Sequence, residues 1–394
     1  MTQMKAIPAE RWRSQERDPS RRPAALRLQE GFSAPDWPDC DGPAFLDQWS
    51  DVARTAVSPN PFNERWFALP GLRAFDPAGD VRIASLVKDG RLVGLLPVTA
   101  SRRYHGRPLP HLAGWSHANC FCGEPLILPG FEQDFWRGLL EWADRESGFA
   151  PFFHLSGIPA DSPTLAALNV VCQDQGRTPA IVHREERAVL NHGLSPEAHL
   201  AAAASKKRRK DWSRRLRRLE EEGDLRFSRH DDAAGLKVWI EEFLALERTG
   251  WKGEENSALA CDPRTEALFR ESLTGAAQAG RLQRIAYHLD GKPVVMLASF
   301  VASPHAFSFK TAYDEDLARF SPGVLLQLEN LALLEREDIA LTDSCAAPDH
   351  PMIDHIWRDR REIVKVSIPI GGRLGRWVGT ALTSFEARRL ENRS

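Results

Sequence analysis

Between Phe307 and Cys345 the sequence sets a lysine, a small-residue turn and a strand-ending carboxylate in an order that could gather charge at one place. Phe307, Phe309, Thr311 and Tyr313 alternate with Ser308, Lys310 and Ala312, the period of a strand with one apolar face. Lys310 is therefore expected on the less apolar face, opposite Phe309 and Tyr313. A short polar loop from Asp314 to Arg319-Phe320 leads to Ser321-Pro322-Gly323, after which Val324, Leu325, Leu328, Leu331 and Ala332 recur at helical spacing. Ser321 suits the N-cap, and Pro322 the first helical position, where a missing N–H costs nothing. A strand, a small-residue turn and a helix N-terminus leave unpaired backbone donors aimed at one point, which suits a phosphate or an oxyanion. An ordinary capped helix on a sheet has the same pattern, and the single glycine of the loop favours that plainer reading.

Two further stretches bear on chemistry. Val238, Ile240, Phe243, Leu244 and Leu246 form a helical pattern that runs into Glu247-Arg248-Thr249-Gly250-Trp251-Lys252-Gly253. This polar, aromatic, glycine-bearing end suits the wall of a site as well as a plain helix stop. Ser205 to Gly223 holds Lys206-Lys207-Arg208-Arg209-Lys210 and Arg214-Arg215-Leu216-Arg217-Arg218, with Trp212, Leu216 and Leu219 on one stripe. It is expected to be an amphipathic helix with a strongly basic face, closed by Gly223. Such a face is a solvated connector, or a patch for the phosphates of a cofactor or RNA, or for anionic lipid headgroups.

Composition bounds the choice. The 394 residues exceed one average domain, so two are expected, each with its own core. The 52 basic and 54 acidic residues nearly cancel, which argues against a general nucleic-acid binder. The six cysteines, at 40, 120, 122, 172, 261 and 345, include no Cys-x-x-Cys pair, and His350 and His355 have no further ligand at metal spacing, so no metal site is expected. No apolar run approaches the roughly 18 residues of a membrane span, and the start lacks a signal-peptide core, so the expected address is the cytoplasm.

The elements that must carry these residues repeat. Val81–Val87 and Leu92–Val98 flank Asp89-Gly90, and Arg284–Leu289 and Val294–Phe300 flank Asp290-Gly291, both strong hairpin signals. In each half a further strand, a Pro-Gly step, a helix and a strand follow: 125–128, Pro129-Gly130 and 152–155 in the first; 306–313, Pro322-Gly323 and 339–343 in the second. One plan used twice fits this order. The expected ranges are a mobile, arginine-rich tail over 1–30, an N-terminal domain over 31–190 on the acceptor side or degenerate, and a basic connecting helix over 191–223. A C-terminal domain with the donor site covers 224–375, and a helical tail 376–394.

The ordered set formed by the basic run, Leu246-Glu247 with Trp251-Lys252-Gly253, Asp290-Gly291, Lys310 to Glu315, Ser321-Pro322-Gly323 and Asp343 resembles the FemAB-like and CelD-like branch of the GNAT acyltransferases, the BioF-type acetyltransferase domain. The likeness runs from about residue 40 to 370 and is densest from 205 to 345. It implies an α+β fold of two tandem GNAT-like domains, each a mixed, mostly antiparallel sheet flanked by helices. It also implies a donor site in the second domain, with Arg319, Ser321, Pro322, Gly323 and Val324 against an acyl-CoA co-substrate. The usual GNAT phosphate loop is richer in glycine and begins with glutamine or arginine; Arg319-Phe320-Ser321-Pro322-Gly323 stands in its place.

Amide formation from a thioester needs a neutral amine, a proton acceptor and donors for the oxyanion. Lys310 is the candidate for the oxyanion or a donor phosphate. Glu247, Asp343 at the end of its strand, Asp314, His350 and His355 are candidates for the base, and Tyr313 completes the catalytic set. Trp251, Lys252, Asp314 and His350 are the candidates for substrate contact. Cys345 as a covalent nucleophile ranks below direct transfer. The function implied is N-acyl transfer from acyl-CoA to an amine acceptor, in lipid metabolism with a sphingoid-type amine or in envelope or exopolysaccharide metabolism. The alternatives are a FemAB-type aminoacyltransferase using aminoacyl-tRNA and a non-catalytic partner of the same fold. Peripheral contact with anionic membrane at its inner face would fall to Lys206–Arg218. Lys310→Ala and Asp343→Asn are both expected to slow the reaction well over tenfold without moving the melting temperature.

Overall fold

The computed structural model describes residues 29–391. The expected N-terminal tail lies, over 1–28, outside the described residues, as do 392–394. Contacts divide the chain into two compact units, one that closes at Glu185 and resumes at Glu362, and one that runs Glu186–Arg361. The basic stretch expected as a connector thus lies within the second unit, and the last strand pairing and the C-terminal helix belong to the first.

In the first unit, helix Pro43–Thr55 buries Phe45, Trp49, Val52 and Ala53, the spacing of one helical face. Strands Arg82–Lys88 and Arg91–Ser101 form an antiparallel hairpin. Its turn residues have positive φ, 52° at Asp89 and 70° at Gly90, the turn whose twist matches the strands it joins. Strand His111–Gly114 pairs antiparallel with Arg91–Ser101 and parallel with Phe152–Pro159. A parallel pair needs a crossover, here supplied in part by helix Glu132–Glu146, which buries Phe135, Trp136, Leu139 and Trp142. Phe152–Pro159 then receives residues 363–369 of strand Asp359–Pro369, antiparallel.

The second unit repeats this order. Helix Lys206–Glu220 starts at Ser205, whose hydroxyl accepts from the Arg208 N–H. Strands Leu282–Leu289 and Lys292–Ala302 turn on Asp290 and Gly291, at φ 49° and 77°, and Leu225–His230 lines the outer edge of Leu282–Leu289. Strand His305–Tyr313 runs antiparallel to Lys292–Ala302 and parallel to Leu341–Asp343. Leu341–Asp343 in turn takes residues 189–191 of strand Ala180–Asn191, antiparallel. Each unit therefore completes its sheet with a strand that lies across a cut in the chain, at 185/186 or at 361/362. Sequence periodicity alone does not reveal such an exchange.

The helices of the second unit cover both faces of its sheet. On one, helices Leu236–Thr249 and Pro263–Gln278 bring Phe243 and Phe269 into a stack with Phe309 and Phe300, with neighbouring ring centroids 4.6 to 6.3 Å apart. Each such pair adds about 0.5–1.5 kcal/mol beyond its buried area. On the other, helices Lys206–Glu220 and Pro322–Asn330 pack Leu219, Leu325 and Leu326 against Ile285, Val295 and Leu297, with Tyr313 at the margin. The architecture is α+β, as the resemblance implies.

Candidate functional site

The alternation expected along 307–313 is broken in the middle. Lys310 opposes Ala298, but the next pair is Ser308 with Ser299, so Phe309 is an extra residue in a β-bulge. A bulge re-aims the side chains that follow it and is common beside active sites. Phe309 lies in the aromatic stack of one face, whereas Tyr313, four residues on, packs with Leu219 and Leu325 on the other. Lys310 accordingly shares a side with Phe309, its Nζ 5.6 Å from that ring's centroid. This corrects the expected placement of Lys310 opposite Phe309.

On that side the helix Leu236–Thr249 ends in a built cluster. Glu247 is buried; its Oε1 accepts from Lys252 Nζ at 2.8 Å and its Oε2 from the Leu259 N–H at 2.8 Å. Lys252 Nζ also donates to the Thr311 carbonyl at 3.1 Å, which pins the helix end to the residue after Lys310. Burial pushes the Lys310 ammonium down to about 8, helped by the Lys252 charge and opposed by Glu247 and Cys345. An amine at that value is still mostly charged at pH 7, by about ten to one, and is half neutral by about pH 8. It can stabilise an oxyanion or move a proton.

Pairing of His305–Tyr313 with Leu341–Asp343 spans only Phe307↔Asp343 and the two pairs before it, so Lys310 follows the point where the two strands part. At that point Asp343 is buried, its Oδ1 accepting from the Cys345 N–H at 2.7 Å and its Oδ2 3.4 Å from Arg187 Nη1. Oδ1 thus holds the turn at Cys345, whose φ is 53°, while Oδ2 faces Arg187. His350 is half-buried. Burial pushes its imidazole below the ordinary range, with Asp354 pulling the other way and Lys252 adding to the depression. Its Nδ1 is buried without a hydrogen-bond partner among the described residues.

The turn before helix Pro322–Asn330 differs from the expected cap. Ser321 occupies the N-cap but in the left-handed region, at φ 55°, and its side chain caps no N–H of the helix. Its hydroxyl accepts from Arg215 Nη1 instead. The N–H groups of Val324 and Leu325 turn back to the Ser321 carbonyl. Met352 covers Gly323, where a Cβ would stand 2.2 Å from the sulfur. The first turn is therefore occupied by the protein's own groups. Beside it lies a pocket lined by Arg214, Arg215, Arg218, Arg319 and Phe320, with Asp211, Glu221 and Glu222 at its wall. Arg214 and Arg215 pair with Asp211, and Arg319 with Glu222 at 3.1 Å. Arg218 is exposed and has no ion-pair partner among the described residues.

The structure thus brings Lys310, Glu247 and Lys252 together, with His350 in the field of Lys252. It sets Arg319 and Ser321 with the arginine pocket, and Pro322, Gly323 and half-buried Val324 in the helix start. Asp314 caps the short helix Glu315–Phe320 by accepting from the Asp316 N–H at 3.0 Å. His355 is exposed and joins none of these contacts, and Trp251 opens the short helix Trp251–Glu254. Sequence reasoning did not single out Arg187, Met352 or the Phe309 bulge. No local pattern signals the first two, and the apolar alternation in the sequence of this strand runs through the bulge without marking it. Among the described residues no group of His, Cys, Asp and Glu comes together as a metal site would require.

Residues 206–350 match the family described as an acetyltransferase (GNAT) domain. Solved structures similar to the chain include FemX, at TM-score 0.54 and 10% identity over 85% of this chain and 98% of that one. A conserved protein of unknown function from Bacteroides thetaiotaomicron VPI-5482 matches at TM-score 0.53 and 11% identity, over 82% and 97%. The C-terminal domain of a protein assigned as a lysylphosphatidylglycerol synthetase from Agrobacterium fabrum matches at 0.51 and 12%, over 84% and 93%. At these identities the likeness is one of fold. No curated protein matches the chain.

Proposed function

We propose that this chain, which carries a GNAT acyltransferase domain in a FemAB-like fold, moves an acyl group from acyl-CoA to an amine by direct attack on the thioester. The amine nitrogen forms the C–N bond, the C–S bond breaks, and the thiolate leaves as the free thiol once protonated. The observation that carries the reading is Lys310, set at a bulge where two parallel strands part, with its ammonium depressed to about 8. In this reading Lys310 faces the oxyanion of the tetrahedral intermediate. His350 takes the proton of the attacking amine, and Glu247 and Lys252 fix the wall. The donor's phosphates rest on Arg214, Arg218 and Arg319 rather than on the occupied helix start. The acceptor is a lipid-like amine of the sphingoid type or an envelope or exopolysaccharide amine, met at the inner face of a membrane that the basic helix Lys206–Glu220 approaches.

Incubation with a panel of acyl-CoAs and amines, read as released thiol, is expected to show turnover. No release with any pair would overturn the reading. Arg214→Glu with Arg218→Glu is expected to raise KM for the donor about tenfold or more with kcat little changed, the loss of one or two charge-assisted contacts.

A second reading, transfer from aminoacyl-tRNA, draws on one observation. Lys206, Lys207, Arg208, Lys210 and Arg217 are exposed and have no ion-pair partner among the described residues, a longer basic row than one pyrophosphate requires. It entails tRNA binding that weakens steeply with salt and is lost on reversing these charges. An absence of retardation in a gel at low salt would remove it.

A further inference from the structure

The C-terminal helix Arg373–Glu391 is docked along one side and bare along the other. On the docked side Arg376 pairs with Asp144, and Glu386 accepts from the Tyr104 hydroxyl at 3.0 Å. Gly379 lies so close to Pro151 that a Cβ would stand 2.1 Å from its carbonyl oxygen. The bare side presents Leu374, Trp377 and Phe385 at 74%, 70% and 57% exposure, with Val378 and Leu382 between them. These positions, at i, i+3, i+4, i+8 and i+11, form one continuous stripe. An exposed run of large apolar side chains on one helix face marks an interaction surface.

We propose that this stripe seats the helix in the headgroup region of an anionic membrane, parallel to its plane. The charge pattern selects this occupant. Exposed Arg373 stands at one end of the stripe and exposed Arg388 and Arg389 at the other, with Arg389 4.5 Å over the Phe385 ring. Of the two acids near that end, Glu386 is turned back to Tyr104 and Glu391 is the last residue of the helix, so the arginines outnumber the acids left to face a partner. A second copy of the helix, packed parallel or antiparallel, would set arginine against arginine at both ends. A sheet of phosphate headgroups meets every one of them with opposite charge. Trp and Phe beside arginines are the side chains that settle at the boundary between headgroups and acyl chains. No helix among the described residues is long and apolar enough to cross a membrane, so the helix would lie on the surface.

Co-sedimentation with vesicles tests this, and it needs no acyl donor, so it stands or falls apart from the transfer reading. The full chain is expected to sediment with vesicles of phosphatidylcholine and phosphatidylglycerol in equal parts, and far less with phosphatidylcholine alone. Trp377→Ser with Phe385→Ser is expected to weaken binding about tenfold or more at an unchanged melting temperature. Arg388→Glu with Arg389→Glu, both at exposed positions, is expected to weaken it as well and to flatten its salt dependence. Binding that survives both pairs, or that vanishes only on reversing Lys206, Lys207 and Arg208, would overturn the proposal. So would a dimer that the stripe substitutions dissolve in a chain that ignores vesicles, which would assign the stripe to a second copy.

Discussion

Lys310→Met is expected to slow acyl transfer by about a hundredfold or more, the usual cost of removing a group that faces an oxyanion, while raising thermal stability at pH 7. The sign of the second effect follows from the depressed ammonium. Folding takes the group from an ordinary 10.5 to about 8, so below pH 8 the protein carries the full cost of a buried charge. Between 8 and 10.5 the unfolded chain holds more protons than the folded one, and stability rises with pH through that window. Methionine removes the charge and keeps the stem, which returns on the order of 3 kcal/mol at most. The pH–rate profile carries the matching signature, an alkaline limb near 8 as Lys310 loses its proton. Lys252→Met should move that limb up, because the Lys252 charge depresses Lys310, and Glu247→Gln should move it down, because Glu247 supports the charge. Rate profiles and melting curves for the three variants decide the matter. A Lys310→Met protein of wild-type rate, or one that melts lower as after a lost core contact, would sink the assignment.

The elements of both units were legible in the sequence because their signals are local. Asp-Gly between two alternating runs specifies a turn with two positive φ values, and both hairpins turn there. Trp212, Leu216 and Leu219 mark the face on which helix Lys206–Glu220 packs, while Arg208, Arg214, Arg217 and Arg218 stay exposed. The division into units was less legible. Strands Ala180–Asn191 and Asp359–Pro369 each straddle a cut between units, and their partners lie about 150 residues away in the chain for the first and more than 200 for the second. Pairing at that range is chosen by tertiary fit, which no window of sequence contains.

At the site, residue types were legible and their aim was not. Glu247 and Lys252 were marked by type at the helix end, but the bond between them and the second bond of Lys252, to Thr311, show only in the fold. Lys310 was expected on the polar face by strict alternation, and one extra residue at Phe309 turned it to the other. Ser321 looked like a helix cap because serine before proline usually is one; a competing donor, Arg215, holds its hydroxyl. In each instance a long-range contact overrode a correct local rule, and the overrides cluster where the chemistry would occur.

Asp343→Ala is expected to cost about 3–5 kcal/mol of stability, the range for removing one partner of a buried ion pair. Asp343 and Arg187 are both buried, and the contact is loose at 3.4 Å, so it acts more through charge than through a tight hydrogen bond. Removal takes from Arg187 its nearby carboxylate and from the Cys345 N–H its acceptor. Asp343→Asn keeps an oxygen for Cys345 but drops the charge, so its loss should be smaller. Arg187→Met combined with Asp343→Leu should recover most of the stability lost in Asp343→Ala, since both buried charges leave together. Urea unfolding of the four proteins measures this directly. The rate per folded molecule of Asp343→Asn should then stay within several-fold of wild type, unlike that of Lys310→Met. This replaces the expectation, drawn from strand position alone, of a large rate loss at constant melting temperature. An Asp343→Asn protein that unfolds like wild type yet reacts more than tenfold slower would return the carboxylate to the proton-transfer step and leave Arg187 as the group that holds it in place.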